Sequence, residues 1–176
     1  MTTAADRSTW VDQQTHWSIT RFVYDEAELL DEWRYAEWSH LISDDFWYRI
    51  PVPITRDDPA RGGYAEESFL VDESRISLDY WFKRHERDHL RYAWGENPLQ
   101  RVKRFVTNIR ARESAVGVIV KANVLLSFAR QSDPPILVAA EREDLLRQHG
   151  DSWLLANRTV LLQGNILETT HARIIF

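Results

Sequence analysis

The chain has no cysteine. That excludes disulfides, thiolate nucleophiles and any iron–sulfur cluster held within the chain, since even the mixed His/Cys type takes two cysteines. Positive charge is not in surplus either. A net charge of −5 leaves no basic face for nucleic acid and no polybasic patch for anionic lipid. No apolar run approaches the roughly 18 residues that a membrane span requires. Met1–Trp10 is polar and lacks the apolar stretch of a signal peptide, so a cytoplasmic protein is expected. Internal repeats and low-complexity tracts are absent. Aromatic residues are abundant: eight Trp, six Tyr and seven Phe among 176 residues. That length suits one domain, and 44% hydrophobic residues suffice for a core. Large aromatics fill wide cores, concave pockets and subunit interfaces alike.

Hydrophobic periodicity orders the chain. Residues 1–15 are polar, a loose arm or short helix. Ile19, Phe22, Val23, Leu29, Leu30 and Trp33 form the stripe of a helix from about Ser18 to Trp33. Tyr35, Trp38, Leu41 and Ile42 repeat at helical spacing, and Ser43-Asp44-Asp45 has the composition of a turn. Phe46, Tyr48 and Ile50 then share one strand face, with Trp47 and Arg49 on the other, before Pro51 and Pro53 end the strand. Residues 53–67 form a long loop by their Pro, Gly and charge content. A third helix is predicted from about Asp72 to His89, carrying Leu78, Trp81, Phe82 and His85 on one stripe. Beyond a loop at Gly95, Asn97 and Pro98 the period becomes two. Residues 101–112, 116–130, 136–147 and 152–163 are predicted strands, and a last strand runs from about Thr169 to Phe176. Helices followed by long hairpin-linked strands predict an α+β domain whose helices cover one face of a curved, antiparallel-rich sheet. Such a sheet makes a cone with a pocket or docking surface at its mouth.

Segments along most of the chain resemble the small (beta) subunits of bacterial aromatic-ring-hydroxylating dioxygenases. Phe22–Trp38 (FVYDEAELLDEWRYAEW) is similar to that family's first helix and its continuation. Arg34–Val52 has its helix, turn and aromatic strand in order. Asp72–Leu78 resembles its third-helix start, Trp94-Gly95-Glu96-Asn97-Pro98 its loop, Arg104–Ile109 a strand, and Asn157–Leu162 a strand near the end. Gln163 stands where the family often has Asp. The resemblance implies one domain over residues 1–176, a cone-shaped roll like nuclear transport factor 2, scytalone dehydratase and ketosteroid isomerase. It implies a structural subunit with no catalytic residue, metal or cofactor of its own. The partner alpha subunit would hold a Rieske [2Fe–2S] cluster and a mononuclear Fe(II). Three alpha and three beta subunits would form the usual assembly, fed with NAD(P)H electrons by ferredoxin and reductase proteins.

Other motifs compete for attention. His85-Glu86-Arg87-Asp88-His89 matches the zinc-protease pattern H-E-x-x-H, where two histidines one helical turn apart bind zinc. Tyr92 and Gly95 stand where an extended pattern needs Gly and His, and 108–110 (Asn-Ile-Arg) offers no third carboxylate. A helix-end interface or a satisfied histidine pair is the default. A stand-alone dehydratase, isomerase or small-molecule binding protein of the cone fold is the main alternative, with Asp31, Tyr48, His85 and Asn108 as its acid–base candidates. Asp31 would serve as well as a surface charge, and Tyr48 as a core aromatic. Arg104, Asn108, Arg110 and Arg112 alternate with Phe105, Ile109 and Ala111, which predicts a polar, basic strand face: a solvated sheet face or, as the resemblance implies through packing of neighbouring beta subunits, one whose arginines pair with Glu141 or Glu143 across an interface. Trp47, Arg49, Trp94, Arg104, Arg110 and Trp153 are the interface candidates. Core packing explains the tryptophans equally well. The acidic clusters Asp57-Asp58, Glu66-Glu67 and Glu141-Arg142-Glu143-Asp144 are expected to be exposed charge.

Overall fold

A computed structural model describes residues 9–55, 57, 63–83, 100–129, 133–164 and 174–176. Helix α1 spans Gln13–Asp31, and α2 is the single turn Tyr35–Trp38, which leads through a 3-10 turn at Ser39–Leu41 into strand β1, Ile42–Pro53. Strand β2 is Tyr64–Ser74 and helix α3 is Arg75–Lys83. Four long strands follow: β3 Arg101–Ser114, β4 Gly117–Ala129, β5 Ile136–His149 and β6 Ser152–Leu162. They form one six-stranded sheet in the order β2-β1-β6-β5-β4-β3. Every pairing is antiparallel except β1–β6, which is parallel. The sheet curves into a cone-shaped α+β roll around a core contributed by α1, α2, α3 and the inner sheet face.

Local chemistry accounts for the elements. Asp12 caps α1 by accepting from Thr15 N–H at 2.8 Å, which starts the helix five residues earlier than its apolar stripe suggests. Ile19, Phe22, Val23, Ala27 and Leu30 are buried along that stripe, each worth roughly 1.5–3 kcal/mol for the larger side chains. Trp33, just past the helix end, adopts a left-handed backbone at φ 60°. Of residues 1–15, expected as a loose arm or short helix, 1–8 lie outside the described residues, Thr9–Val11 lie along the β3 edge and α1 begins at Gln13: Glu113 N–H donates to Thr9 O at 2.8 Å, and Val11 N–H to Ala111 O.

Four expectations are corrected. Residues 64–74 form a strand, not part of a loop and a helix start, so α3 begins at Arg75. β2 is an edge strand with one neighbour, and its YAEESFLVDES sequence lacks clean alternation. Asp44-Asp45 is not a turn: it lies within β1, where the pairing with β6 lapses between Ile42 and Trp47. β1 also continues through Pro51 to Pro53. The prolines are tolerated because β6 pairs with β1 only as far as Arg49. Lastly, Ile174–Phe176 are not strand but are inserted into the core. Residues 169–173 of that expected strand lie outside the described residues.

A β-bulge in β3 alters the phase of one face. The register slips between Thr107 and Arg110, and Asn108 takes a φ of 54°. Before the bulge Val102, Arg104 and Val106 point inward. After it Ala111 does, while Arg110 and Arg112 point outward. The single basic face expected of this strand is therefore split between core and surface.

Candidate functional site

The inside of the roll is occupied by paired charge. Glu26 falls on the apolar stripe of α1, between Val23 and Ala27, and is fully buried. Arg142 and Asp144 sit on the inner face of β5, and Arg158 on that of β6. The ladder puts Val120, Asp144, Arg158 and Tyr48 in one row across β4, β5, β6 and β1. Arg158 donates Nε to Asp144 Oδ1 at 2.8 Å and Nη2 to Asp144 Oδ2 at 2.9 Å, a bidentate pair, and reaches Glu26 Oε2 at 2.8 Å. Trp38 Nε1 donates to the other Glu26 oxygen at 2.9 Å. Arg142 lies 2.9 Å from Asp144 Oδ2 and 3.2 Å from Glu26 Oε2, within ion-pair distance but without the alignment of a hydrogen bond.

These contacts set the ionisation of the cluster. Burial pushes the Glu26 carboxyl up, but the charges of Arg158 and Arg142 and the bonds from Arg158 and Trp38 outweigh it and hold the pKa at about 2. Burial likewise pulls the Arg158 guanidinium down, and Asp144 with Glu26 reverses this to hold it above its ordinary value. Tyr48 is raised to about 12, chiefly by burial.

The acid–base candidates are engaged by neighbours. The Asp31 side chain is 5% exposed and pairs with Arg104 Nη1 at 2.7 Å and Lys103 Nζ at 3.3 Å. It is a buried ion-pair partner, not a surface charge. The Tyr48 hydroxyl accepts from Phe176 N–H at 3.3 Å. Asn108 is exposed at the bulge. His85 and His89 lie outside the described residues. Among the described residues no group of three or more His, Asp or Glu side chains is arranged to hold a metal ion. With no cysteine in the chain, the donor set for an iron–sulfur cluster is missing. Two open surface grooves, of about 370 and 510 Å³, are lined by neither Glu26, Tyr48, Asp144 nor Arg158.

The interface candidates separate by position. Trp47 and Arg49 stand on the outer face of β1. Both bond Asp72 on β2, Trp47 through Nε1 and Arg49 through Nε at 2.8 Å. The Arg49 guanidinium lies over the rings of Trp47 and Phe69, 5.1 and 5.3 Å from their centroids. Arg110 is exposed and meets Glu141 at 3.4 Å within the same chain, not across an interface. Trp153 is half-buried, with Nε1 donating to Ser18 Oγ at 3.0 Å. Arg104 is the correction: the bulge turns it inward, where it binds Asp31 and the Ile175 carbonyl. Trp94 lies outside the described residues. The Glu141–Asp144 run is likewise only half exposed charge, since Arg142 and Asp144 face the core.

Sequence reasoning missed Glu26, Arg142, Asp144 and Arg158 as a unit. The available signal was position: Glu26 interrupts a helical apolar stripe, and Arg158 alternates with Val160 and Leu162. It also missed an apolar row on the outer sheet face, where exposed Phe105 pairs with Leu125 and Leu125 with Ala139.

Residues 25–169 match the model of the ring hydroxylating beta subunit family. The chain belongs to this family. The beta subunit of 3-phenylpropionate/cinnamic acid dioxygenase from Photorhabdus laumondii is 27% identical over 172 residues, covering 94% of each chain. A structure of naphthalene 1,2-dioxygenase with indole bound shares the fold at a TM-score of 0.79 and 22% identity, over 94% of this chain and 88% of that one. The benzoate 1,2-dioxygenase beta subunit from Burkholderia mallei does so at a TM-score of 0.67 and 17% identity, over 92% and 97%.

Proposed function

We propose that this beta subunit is the structural, non-catalytic component of a multicomponent aromatic-ring-hydroxylating dioxygenase. The observation that carries the reading is the family match over residues 25–169, joined to a roll whose interior is filled by its own ion pairs and side chains. In this reading a cytoplasmic complex of three alpha and three beta subunits acts on an aromatic compound. Each alpha subunit carries a Rieske cluster and a mononuclear Fe(II), and ferredoxin and reductase proteins deliver electrons from NAD(P)H. The beta subunit fixes the spacing of its large partners. Trp47, Arg49 and Arg110, with the outer Phe105–Leu125 row, have the Trp, Arg and aromatic character typical of contact surfaces, and Trp153 and Trp94 complete the set of candidates.

A stand-alone cone-fold enzyme or binding protein is not favoured, because Asp31 and Tyr48 are committed to Arg104 and to the Phe176 amide. The test is co-expression with a candidate large subunit, followed by mass measurement of the purified particle and an oxygen-consumption assay with an aromatic acid. A stable hetero-oligomer whose oxygenase activity depends on both chains is expected. A monomer that ignores the large subunit and shows turnover of its own would overturn the reading.

A further inference from the structure

The last three residues of the sequence are held in an unusual way. Ile174, Ile175 and Phe176 are 4%, 1% and 2% exposed. Their main chain is read by side chains. Arg104 donates to the Ile175 carbonyl through Nε at 3.0 Å and also through Nη2. Arg158 Nη1 donates to the Phe176 carbonyl at 2.8 Å. The Tyr48 hydroxyl accepts the Phe176 N–H at 3.3 Å. These groups come from β3, β6 and β1. This is how a protein grips an extended peptide: fixed polar groups take the backbone, and an apolar enclosure takes the side chains.

The gripping groups do not depend on the tail for charge balance. Arg104 is paired with Asp31 at 2.7 Å, and Arg158 with Asp144 and Glu26 at 2.8 and 2.7 Å. Arg142 supplies further positive charge to the same two carboxylates. Each arginine therefore has a counter-ion that the tail does not supply. An enclosure ordered by its own ion pairs is preorganised for its ligand.

We propose that the interior of the roll is a binding site for an extended apolar peptide segment, occupied in cis by Ile174–Phe176 acting as a built-in ligand. The inference is independent of any partner subunit. Its chemistry specifies two carbonyl acceptors, one amide donor and an aromatic side chain.

The test is rescue in trans. A chain lacking Ile174–Phe176 is expected to melt at a lower temperature than the full chain. Acetyl-Ile-Ile-Phe, added at millimolar concentration, raises that temperature in a saturable way, and acetyl-Ile-Ile-Ala does so less. A folded truncated chain that melts like the full chain, or that ignores the peptide, overturns the proposal. If the truncated chain does not fold, Tyr48→Phe in the full chain decides. Hydrogen exchange at the Phe176 amide speeds up by roughly tenfold, the scale of one lost hydrogen bond, while β5 amides keep their protection. Unchanged exchange at Phe176 would equally overturn it.

Discussion

Arg158 and Asp144 stand directly opposite each other on the inner face of the β5–β6 ladder, joined by two hydrogen bonds of 2.8 and 2.9 Å, and both are buried. Removing one partner strands the other charge in the core. Asp144→Ala and Arg158→Met should each destabilise the chain by about 3–5 kcal/mol. Combining Asp144→Leu with Arg158→Met should do less harm than the sum of the single changes. Urea denaturation of the variants measures both outcomes.

Glu26 makes the chain acid-sensitive in a defined window. Its folded pKa of about 2 lies below its ordinary value of 4.5. The stabilisation is therefore complete above pH 4.5 and is lost as pH falls toward 2, amounting to roughly 3 kcal/mol by linkage. Glu26→Gln should lower stability at pH 7 and flatten the stability profile across that window, measured as unfolding midpoints at successive pH values.

Tyr48 gives the opposite edge. Its pKa is raised from 10.0 to about 12, so its contribution is full below pH 10 and fades as pH rises through 12. Ultraviolet titration of the native chain should show fewer tyrosinates in that interval than the unfolded chain, and Tyr48→Phe should narrow that difference by one.

Gly117 begins β4 with φ +146°, and a Cβ there would stand 2.3 Å from the Leu146 carbonyl oxygen. Gly117→Ala should destabilise by more than about 1 kcal/mol, since both backbone conformation and space oppose it. At the β3 bulge Asn108, with φ 54°, should accept Gly readily but lose about 1–2 kcal/mol on replacement by Val. Thermal denaturation ranks the three variants.

On the outer face, Arg49→Ala should weaken binding to the large subunit by about tenfold, some 1.4 kcal/mol. The isolated chain should lose at most about 1 kcal/mol, because the Arg49–Asp72 pair is some 40% exposed on both sides. Titration calorimetry against the large subunit, beside a melting curve of the chain alone, separates the two effects.

The parts of this molecule legible in the sequence are those where one residue's polarity reports its environment. The stripe from Ile19 to Leu30 marks α1, and the alternation of Val118, Val120, Ala122, Val124, Leu126 and Phe128 marks β4. Phe46, Tyr48 and Ile50 point inward as their spacing requires. What stayed hidden depends on relations between residues. Arg142, Asp144, Arg158 and Glu26 look like surface charge one at a time, and only their mutual compensation makes burial tolerable. The phase change at Asn108 needs a single inserted residue that hydropathy does not register, so Arg104 and Arg110 could not be told apart. β2, with one neighbour and no alternation, carries little signal of its own.

The parallel pairing of β1 with β6 has a consequence for synthesis. Tyr48 and Arg49 meet Arg158 and Thr159 only after β3, β4 and β5 have been made. Until then β1 and β2 form an isolated hairpin, while the later strands can zip up by short local turns. Such long-range pairing is the slow, entropically demanding kind. On the ribosome the inward apolar residues Phe46, Tyr48 and Ile50 of β1 and its unpaired edge wait for the final quarter of the chain, an interval in which a chaperone has most to protect.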